Sequence, residues 1–360
     1  MKVAFIEGRP HAHPVHKKYA EAVNADSYYV DFKFRYHDKP EVKAWKRYLS
    51  WVFNAFSLSK KGYDIFFSEE AYFMVGLMKW LRLLGKKQKI VALMSTHTLY
   101  FLTKNRYSPT TKKASLALLK NYDAFICVGD FQKELLLGLI GNDNKIPVYT
   151  VFNGVNMERL HRLSQIKPSL NSCNILFLGD IPNKDRIWYK GIDIMLQAFN
   201  EVKIHYPQAT FTIVGSYDEQ ETVQLLNLYC PNHKSSVTFA GNSNEVESFF
   251  SNSGLYLHCS RGEAWGISIT EAMAAGVIPI ISNETGAKEV ITKIDSRLIT
   301  TLAIADIVDK ILWYLRMDIN EKENLSVKCR TLIAQEYTED KAIAHFCKTF
   351  DKMTYDLINY

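Results

Sequence analysis

The stretch CSRGEAWGISITEAMAAGVIPIIS, residues 259–282, decides how this chain is read. It continues an apolar run, LYLHCS (255–260), passes through a glycine-containing loop and enters a helical pattern near Gly266. The pattern ends at Gly276, and the chain returns to an apolar run, VIPIIS (277–282). Strand, loop, helix, strand is the order in which a helix N-terminus offers unpaired N–H groups to an anion, here those of Gly266, Ile267, Ser268 and Ile269. A diphosphate suits such a site. Glu263 lies in the loop and Glu271 in the first turns of the helix, a spacing of E-x7-E. Carboxylates in a site that attracts phosphate are electrostatically awkward unless their partner is a neutral polyol. One carboxylate can accept from both hydroxyls of a ribose, while the loop carboxylate can reach a hexose.

Outward from this segment, short apolar runs alternate with helical patterns along nearly the whole chain, as parallel sheets with crossover helices require. Expected strands in the first half are residues 2–7, 27–34, 63–68, 89–96, 124–129 and 147–152; in the second they are 174–179, 210–215, 236–241, 255–260 and 277–282. A length of 360 residues suits two domains, each burying its own core. The polar turn FNGVN (152–156) closes the first set. The expected division is an N-terminal Rossmann-like domain over 1–156 and a C-terminal one over 157–337, with a C-terminal helix over about 338–360 packing back on the first.

The net charge of +6 hides an asymmetry. Residues 1–160 hold 25 Lys and Arg against 14 Asp and Glu, and the remaining residues hold 19 against 24. A basic half calls for an anionic surface or acceptor. Two of its stretches, 43–62 and 77–89, combine cations with large apolar groups. In the first, Trp45, Tyr48, Leu49, Val52 and Phe56 recur at helical spacing between Lys43, Lys46 and Arg47 at one end and Lys60 and Lys61 at the other. Such a stripe is either the core face of a helix or a face that enters an anionic membrane interface. Nucleic acid is not expected, because the positive residues form no recognition module. No apolar run approaches the roughly 20 residues that span a bilayer. The chain opens directly into a strand with no visible secretory leader. Six scattered cysteines, without CxxC spacing, read as reduced core residues. The expected location is therefore cytoplasmic, with peripheral contact at the inner face of the membrane.

Residues 259–280 closely resemble the donor-binding signature of family 4 retaining glycosyltransferases of the GT-B fold, with Trp265 where the family usually has Phe and Cys259 where it often has Pro. Further matches follow in register: NGVN (153–156), FLGD (177–180), YKG (189–191), IVG (213–215), FAG (239–241) and TGAKEVI (285–291). The resemblance runs over roughly 89–300 and is densest in the second half. It implies an α/β GT-B protein, two doubly wound Rossmann-like domains facing across a cleft. The implied activity moves a sugar from a UDP- or GDP-sugar to an acceptor hydroxyl with retention, the acceptor being lipid-linked or a growing glycan. Glu271 would hold the donor ribose, Glu263 the transferred sugar, and the backbone near Gly266, Ile267 and Ser268 the diphosphate. Lys190 would neutralise the departing diphosphate. His97, in MSTHT, would reach the donor sugar, and the backbone near Gly241 and Ser243 would serve the base. No cofactor or divalent metal is expected, since no DxD-like acidic pair stands at a strand end.

Two departures from the family pattern bear on the donor site. Asp180 stands where an arginine usually partners the lysine. Either Arg186 or Lys184 supplies the missing cation, or the donor site is weakened. The usual glycine pair of the first loop is also absent, Gly8 being followed by RPHAHPVHKK. His11, His13 and His16 there form H-x-H-x-x-H, which reads as a loop lining the acceptor or phosphate side rather than a zinc site, since Pro14 constrains it and further ligands are missing. The alternatives to a transferase are a GT-B nucleotide-sugar epimerase and a non-catalytic nucleotide-sugar-binding protein.

Overall fold

The computed structural model describes residues 1–8, 14–30, 43–141 and 144–359, without the side chains of Ala44, Arg47 and Tyr48. The chain divides into two compact units. The first is Met1–Asn153 with Ala342–Tyr360, and the second is Gly154–Lys341.

The first unit is built on six parallel strands: β1 (Val3–Glu7), β2 (Asp26–Tyr29), β3 (Ile65–Glu69), β4 (Lys89–Met94), β5 (Ala124–Val128) and β6 (Val148–Val151). Their order is β2-β1-β3-β4-β5-β6. β3 and β5 are buried along their whole length, because helices cover both faces of such a sheet and its strands then read as continuous apolar runs. The helices are α1 (Pro14–Ala22), α2 (Ala44–Ser59), α3 (Tyr72–Trp80), α4 (Thr98–Thr103), α5 (Pro109–Leu119) and α6 (Asp130–Ile140). Sequence reasoning expects one strand over 27–34. The observed β2 ends at Tyr29, and residues 31–34 lie outside the described residues.

The second unit repeats the plan with β7 (Asn174–Leu178), β8 (Thr210–Val214), β9 (Val237–Gly241), β10 (Leu255–His258), β11 (Ile278–Ser282) and β12 (Ile299–Thr300), in the order β12-β11-β10-β7-β8-β9. Its helices are α7 (Met157–Ser164), α8 (Lys184–Lys190), α9 (Ile192–His205), α10 (Glu219–Tyr229), α11 (Val246–Ser251), α12 (Ile267–Ala274), α13 (Lys288–Thr292), α14 (Ile304–Arg316) and α15 (Ile319–Glu336), and α16 (Glu339–Asn359) follows them in the chain. β12 has two residues, too few to produce an alternation that sequence reading could detect. From Ala342 onward α16 belongs to the first unit. Phe346 stacks on Tyr19 with ring centroids 4.3 Å apart, and both Phe346 and Phe350 pack against Phe67.

Each sheet reverses its winding direction once, between β1 and β3 in the first and between β7 and β10 in the second. Open α/β sheets bind ligands beyond the strand ends at such reversals, because the flanking loops splay apart there.

Candidate functional site

In the second unit, the loops after β7 and β10 meet at the reversal. Asn183 caps α8, its side chain accepting from the Arg186 N–H at 2.9 Å. α8 ends at Gly191 in the left-handed region (φ 71°). A Cβ there would lie 2.0 Å from the Cys259 carbonyl oxygen, so only glycine allows the two loops to approach this closely. The contact is reinforced by the Arg261 N–H donating to the Tyr189 carbonyl at 2.7 Å and by a two-bond Arg261–Asp193 ion pair. From the other side, the Gly286 N–H donates to the Glu263 carbonyl at 2.9 Å.

Held in this way, Lys190 Nζ donates to Glu263 Oε2 at 2.5 Å, with both side chains largely buried. Burial alone would raise the Glu263 pKa, but the Lys190 charge and the His258 and Lys190 hydrogen bonds outweigh it and hold the carboxyl far below its ordinary value. Glu263 therefore stays ionised. His258, fully buried at the end of β10, has Nε2 3.5 Å from the same oxygen and 2.7 Å from Ser260 Oγ. Burial, with the Lys190 charge, pushes its pKa down against the pull of Glu263, so the ring is neutral. Tyr256 OH continues the chain, 3.2 Å from His258 Nδ1 and donating to Ser268 Oγ at 2.8 Å. A buried polar network thus links the start of α12 to the Lys190–Glu263 pair. Sequence reasoning missed His258 and Tyr256, because polar residues in a buried strand carry no periodic signal.

Gly266 opens α12 in the left-handed region (φ 86°), and Ile267 and Ser268 follow it directly. One expectation needs correction: the Ile269 N–H donates to the Gly266 carbonyl at 2.9 Å, so this N–H is already used within the first turn. Glu271 accepts from Arg159 Nε at 3.0 Å through Oε1, while Arg159 Nη1 donates to Glu247 at 2.8 Å. Arg159 reaches this position because Asn156, the last residue of NGVN, caps α7 and accepts from the Arg159 N–H. It also escaped the sequence reading, which carries no sign of a pairing across 112 residues.

The two cations weighed against Asp180 go to different places. Lys184 Nζ lies 3.5 Å from Glu221, whereas the Arg186 guanidinium sits 5.3 Å from the centroid of the Tyr189 ring, to which Lys190 Nζ comes within 5.4 Å. The Asp180 carboxylate accepts from the N–H and hydroxyl of Ser216 at 2.9 and 2.7 Å. Burial raises its pKa, and these bonds together with the charges of Arg186 and Lys190 lower it by more, so it too is ionised. Gly241 has φ 72° and open space where a Cβ would lie, and its carbonyl accepts from the Gly215 N–H at 2.9 Å.

In the first unit, His97 precedes α4 just beyond β4 and packs on Phe101 at 4.5 Å between centroids. His16 corrects the loop reading: it lies in α1, buried, with Nδ1 against the Glu69 carboxylate at the end of β3. His11 and His13 lie outside the described residues. Among the described residues no group of three or more His, Cys, Asp or Glu could hold a metal ion, and no helix is long and apolar enough to cross a membrane.

The sequence matches the profile of the group 1 glycosyl transferases over residues 174–330 and that of glycosyltransferase family 4 over 9–159, between them most of the chain. The chain belongs to the family 4 and group 1 glycosyltransferases. This glycosyltransferase has the two-domain α/β GT-B fold. It superposes on HepE of Anabaena, solved with UDP and glucose, with TM-score 0.72 and 15% identity over 98% of this chain and 100% of that one. Sucrose-phosphate synthase of Thermosynechococcus elongatus gives TM-score 0.74 and 15% identity over 99% and 100%. An uncharacterized glycosyltransferase of Haemophilus influenzae is 32% identical over 94 residues, a match spanning 26% of each chain.

Proposed function

We propose that the protein transfers a sugar from a UDP- or GDP-sugar to an acceptor hydroxyl with retention. The supporting observation is the buried Lys190–Glu263 pair at the sheet reversal, with Glu263 in the loop that leads into α12, the helix that carries Glu271. On this reading Glu271, steadied by Arg159, accepts from the ribose hydroxyls, and Glu263 orients the transferred sugar. The N–H groups of Gly266, Ile267 and Ser268 meet the diphosphate. Lys190 stabilises charge that develops on the diphosphate as it leaves, with Arg186 as the second cation. Such stabilisation acts in the transition state and needs no metal. Gly241 lies on the base side. For His97 the family resemblance carries a role toward the transferred sugar. As the family resemblance implies, the departing diphosphate, rather than a protein nucleophile, assists the incoming hydroxyl from its own side, which gives retention.

The acceptor is lipid-linked or a growing glycan. The enzyme acts at the inner face of the membrane, held to anionic lipid through residues 43–62 and 77–89. Relatives of this fold that bind UDP and glucose favour a nucleotide-sugar donor. The test is thermal stabilisation by a panel of UDP- and GDP-sugars, followed by NMR of the product. A ligand at 100 times its dissociation constant contributes about 2.7 kcal/mol. Binding without hydrolysis or transfer would demote the protein to a binder, an epimerised donor would make it an epimerase, and an inverted anomeric centre would remove retention.

A further inference from the structure

The first unit holds a cavity of about 720 Å³ beyond the ends of β3 and β4, within the size range of small-molecule sites. Its walls come from α2, α3, α4 and α5. Glu70, Thr96, His97 and Thr98 contribute polar groups, all half-buried. Met94, Leu102 and Leu119 are fully buried, so the polar groups stand at the opening and apolar ones at the back. Trp51 and Phe73, in ring contact at 6.0 Å, form the wall shared by α2 and α3. α5 adds the exposed Thr111, whose hydroxyl is engaged by Ser108, and the half-buried Ser115; Tyr72 and Tyr107 also line the cavity, and the Tyr72 hydroxyl is spent on the Leu93 carbonyl at 2.8 Å. A saccharide chain requires hydrogen-bonding groups along its length, and the back of this cavity offers none among Met94, Leu102 and Leu119.

The outer surface of the same two helices is also apolar. Trp45, Leu49, Val52, Phe53 and Phe56 of α2 are exposed, and Phe73 is both exposed and part of the cavity wall. Lys60 covers the Phe56 ring at 3.9 Å, and Lys46 lies 5.7 Å from the Trp45 ring. The apolar surface therefore continues from a cation-flanked face into a cavity whose mouth carries His97.

We infer that this cavity receives the aliphatic chain of the acceptor, so that the acceptor is an amphiphile with its hydroxylated head group at Glu70, Thr96 and His97 and its chain against Trp51, Phe73 and Leu102. The inference rests on the transferase reading and narrows the acceptor class left open there. An apolar cavity of this kind has a measurable consequence: affinity rises roughly fourfold for each methylene buried, until the space is filled.

The test uses methyl, butyl, hexyl, octyl and decyl glucosides, each below its micelle concentration, with binding to the full chain measured by calorimetry. Affinity is expected to climb with chain length and then level off. Ala114→Trp, at an exposed position on the cavity rim, fills the space without disturbing the core and should weaken octyl glucoside at least tenfold. Val327→Ser, at an exposed apolar position of the second unit, should leave it unchanged. Length-independent binding, or parent-like binding by Ala114→Trp, overturns the proposal. So does a length dependence found with soluble oligosaccharides and absent with the alkyl series. UDP- and GDP-sugar binding is measured on the same samples: if a donor binds while the alkyl series fails, only the inference falls, and if no donor binds, the transferase reading falls.

Discussion

The two units share one architecture and use its reversal point in opposite ways. In the second unit the loops beyond β7 and β10 bring Lys190, Glu263, His258 and Tyr256 into one buried network, with Glu271 tied to Arg159 on the neighbouring helix. In the first unit, among the described residues, the corresponding strand ends carry the His16–Glu69 pair beside an apolar cavity, and aromatic groups stand exposed on α2 and α3. The charge balance follows the same division: the acid excess of residues 161–360 includes carboxylates held in specific pairs, while the cations of residues 1–160 flank apolar surface. The fold thus specifies where a ligand sits, and side-chain chemistry specifies whether the site orders charge or admits hydrocarbon.

The contrast breaks most sharply at Lys190. Lys190→Ala strands a buried carboxylate, and losing one partner of such a pair costs about 3–5 kcal/mol. Denaturant unfolding should show that loss, and turnover should fall by more than donor affinity. Adding Glu263→Gln should restore most of the stability and none of the turnover. A stable, active single variant would mean that the pair has no part in the chemistry.

Glu271→Ala is expected to weaken donor binding by about 1.5–3 kcal/mol through loss of charge-assisted hydrogen bonds. Arg159→Ala should give a smaller loss in the same direction, because it removes only the group that holds Glu271. Calorimetry with the best donor checks both. Unchanged affinity in Glu271→Ala, with the fold intact, takes that residue out of the site.

Acid should reach the second unit in two steps. His258 has a lowered pKa in the folded state, so its contribution is present above the unfolded value near 6.5 and is lost as pH falls through that value toward the folded one. Glu263 is depressed as well, and its contribution, present above about 4.3, is lost as pH falls further. Stability measured across pH 3–8 should lose the lower step in Glu263→Gln. Retention of that step would assign it to other carboxylates.

Smaller effects test the remaining assignments. Arg186→Ala should lower turnover several-fold if this residue compensates for Asp180, and parent-like turnover would leave the missing arginine without a substitute. Co-sedimentation with anionic vesicles should weaken as salt rises, since charges are screened over about 10 Å at 0.1 M. Each lysine near the surface contributes about 1 kcal/mol, so Lys60→Ala should give a partial loss. Equal, negligible binding to neutral and anionic vesicles would mean that the exposed α2 face serves some other contact.

Much of this was legible in the sequence. The strands of both sheets other than β12 stand out because helices on both faces force unbroken apolar runs, and Glu263, Gly266 and Glu271 fall in a motif whose spacing reflects one strand–loop–helix turn. The stripe on α2 was legible as apolar and helical, but periodicity identifies a face without saying what covers it, and the structure leaves Trp45, Phe53 and Phe56 exposed. His258 and Arg159 were silent for a different reason: their partners lie on other elements, and only folding brings them together. His16 misled because its spacing from His11 and His13 suggests one loop, whereas α1 begins at Pro14.

The return of α16 to the first unit has a consequence for the order in which this chain matures. Phe346 and Phe350 complete a core begun by Tyr19 and Phe67, yet they are made after the whole of the second unit. Domains generally fold as units, the N-terminal one first, as synthesis proceeds. Here all of Gly154–Lys341 emerges before Met1–Asn153 has its final aromatic partners. The unit begun before the other is therefore completed after it, and until α16 emerges its unfilled core and its outer apolar helix are open to chaperones together.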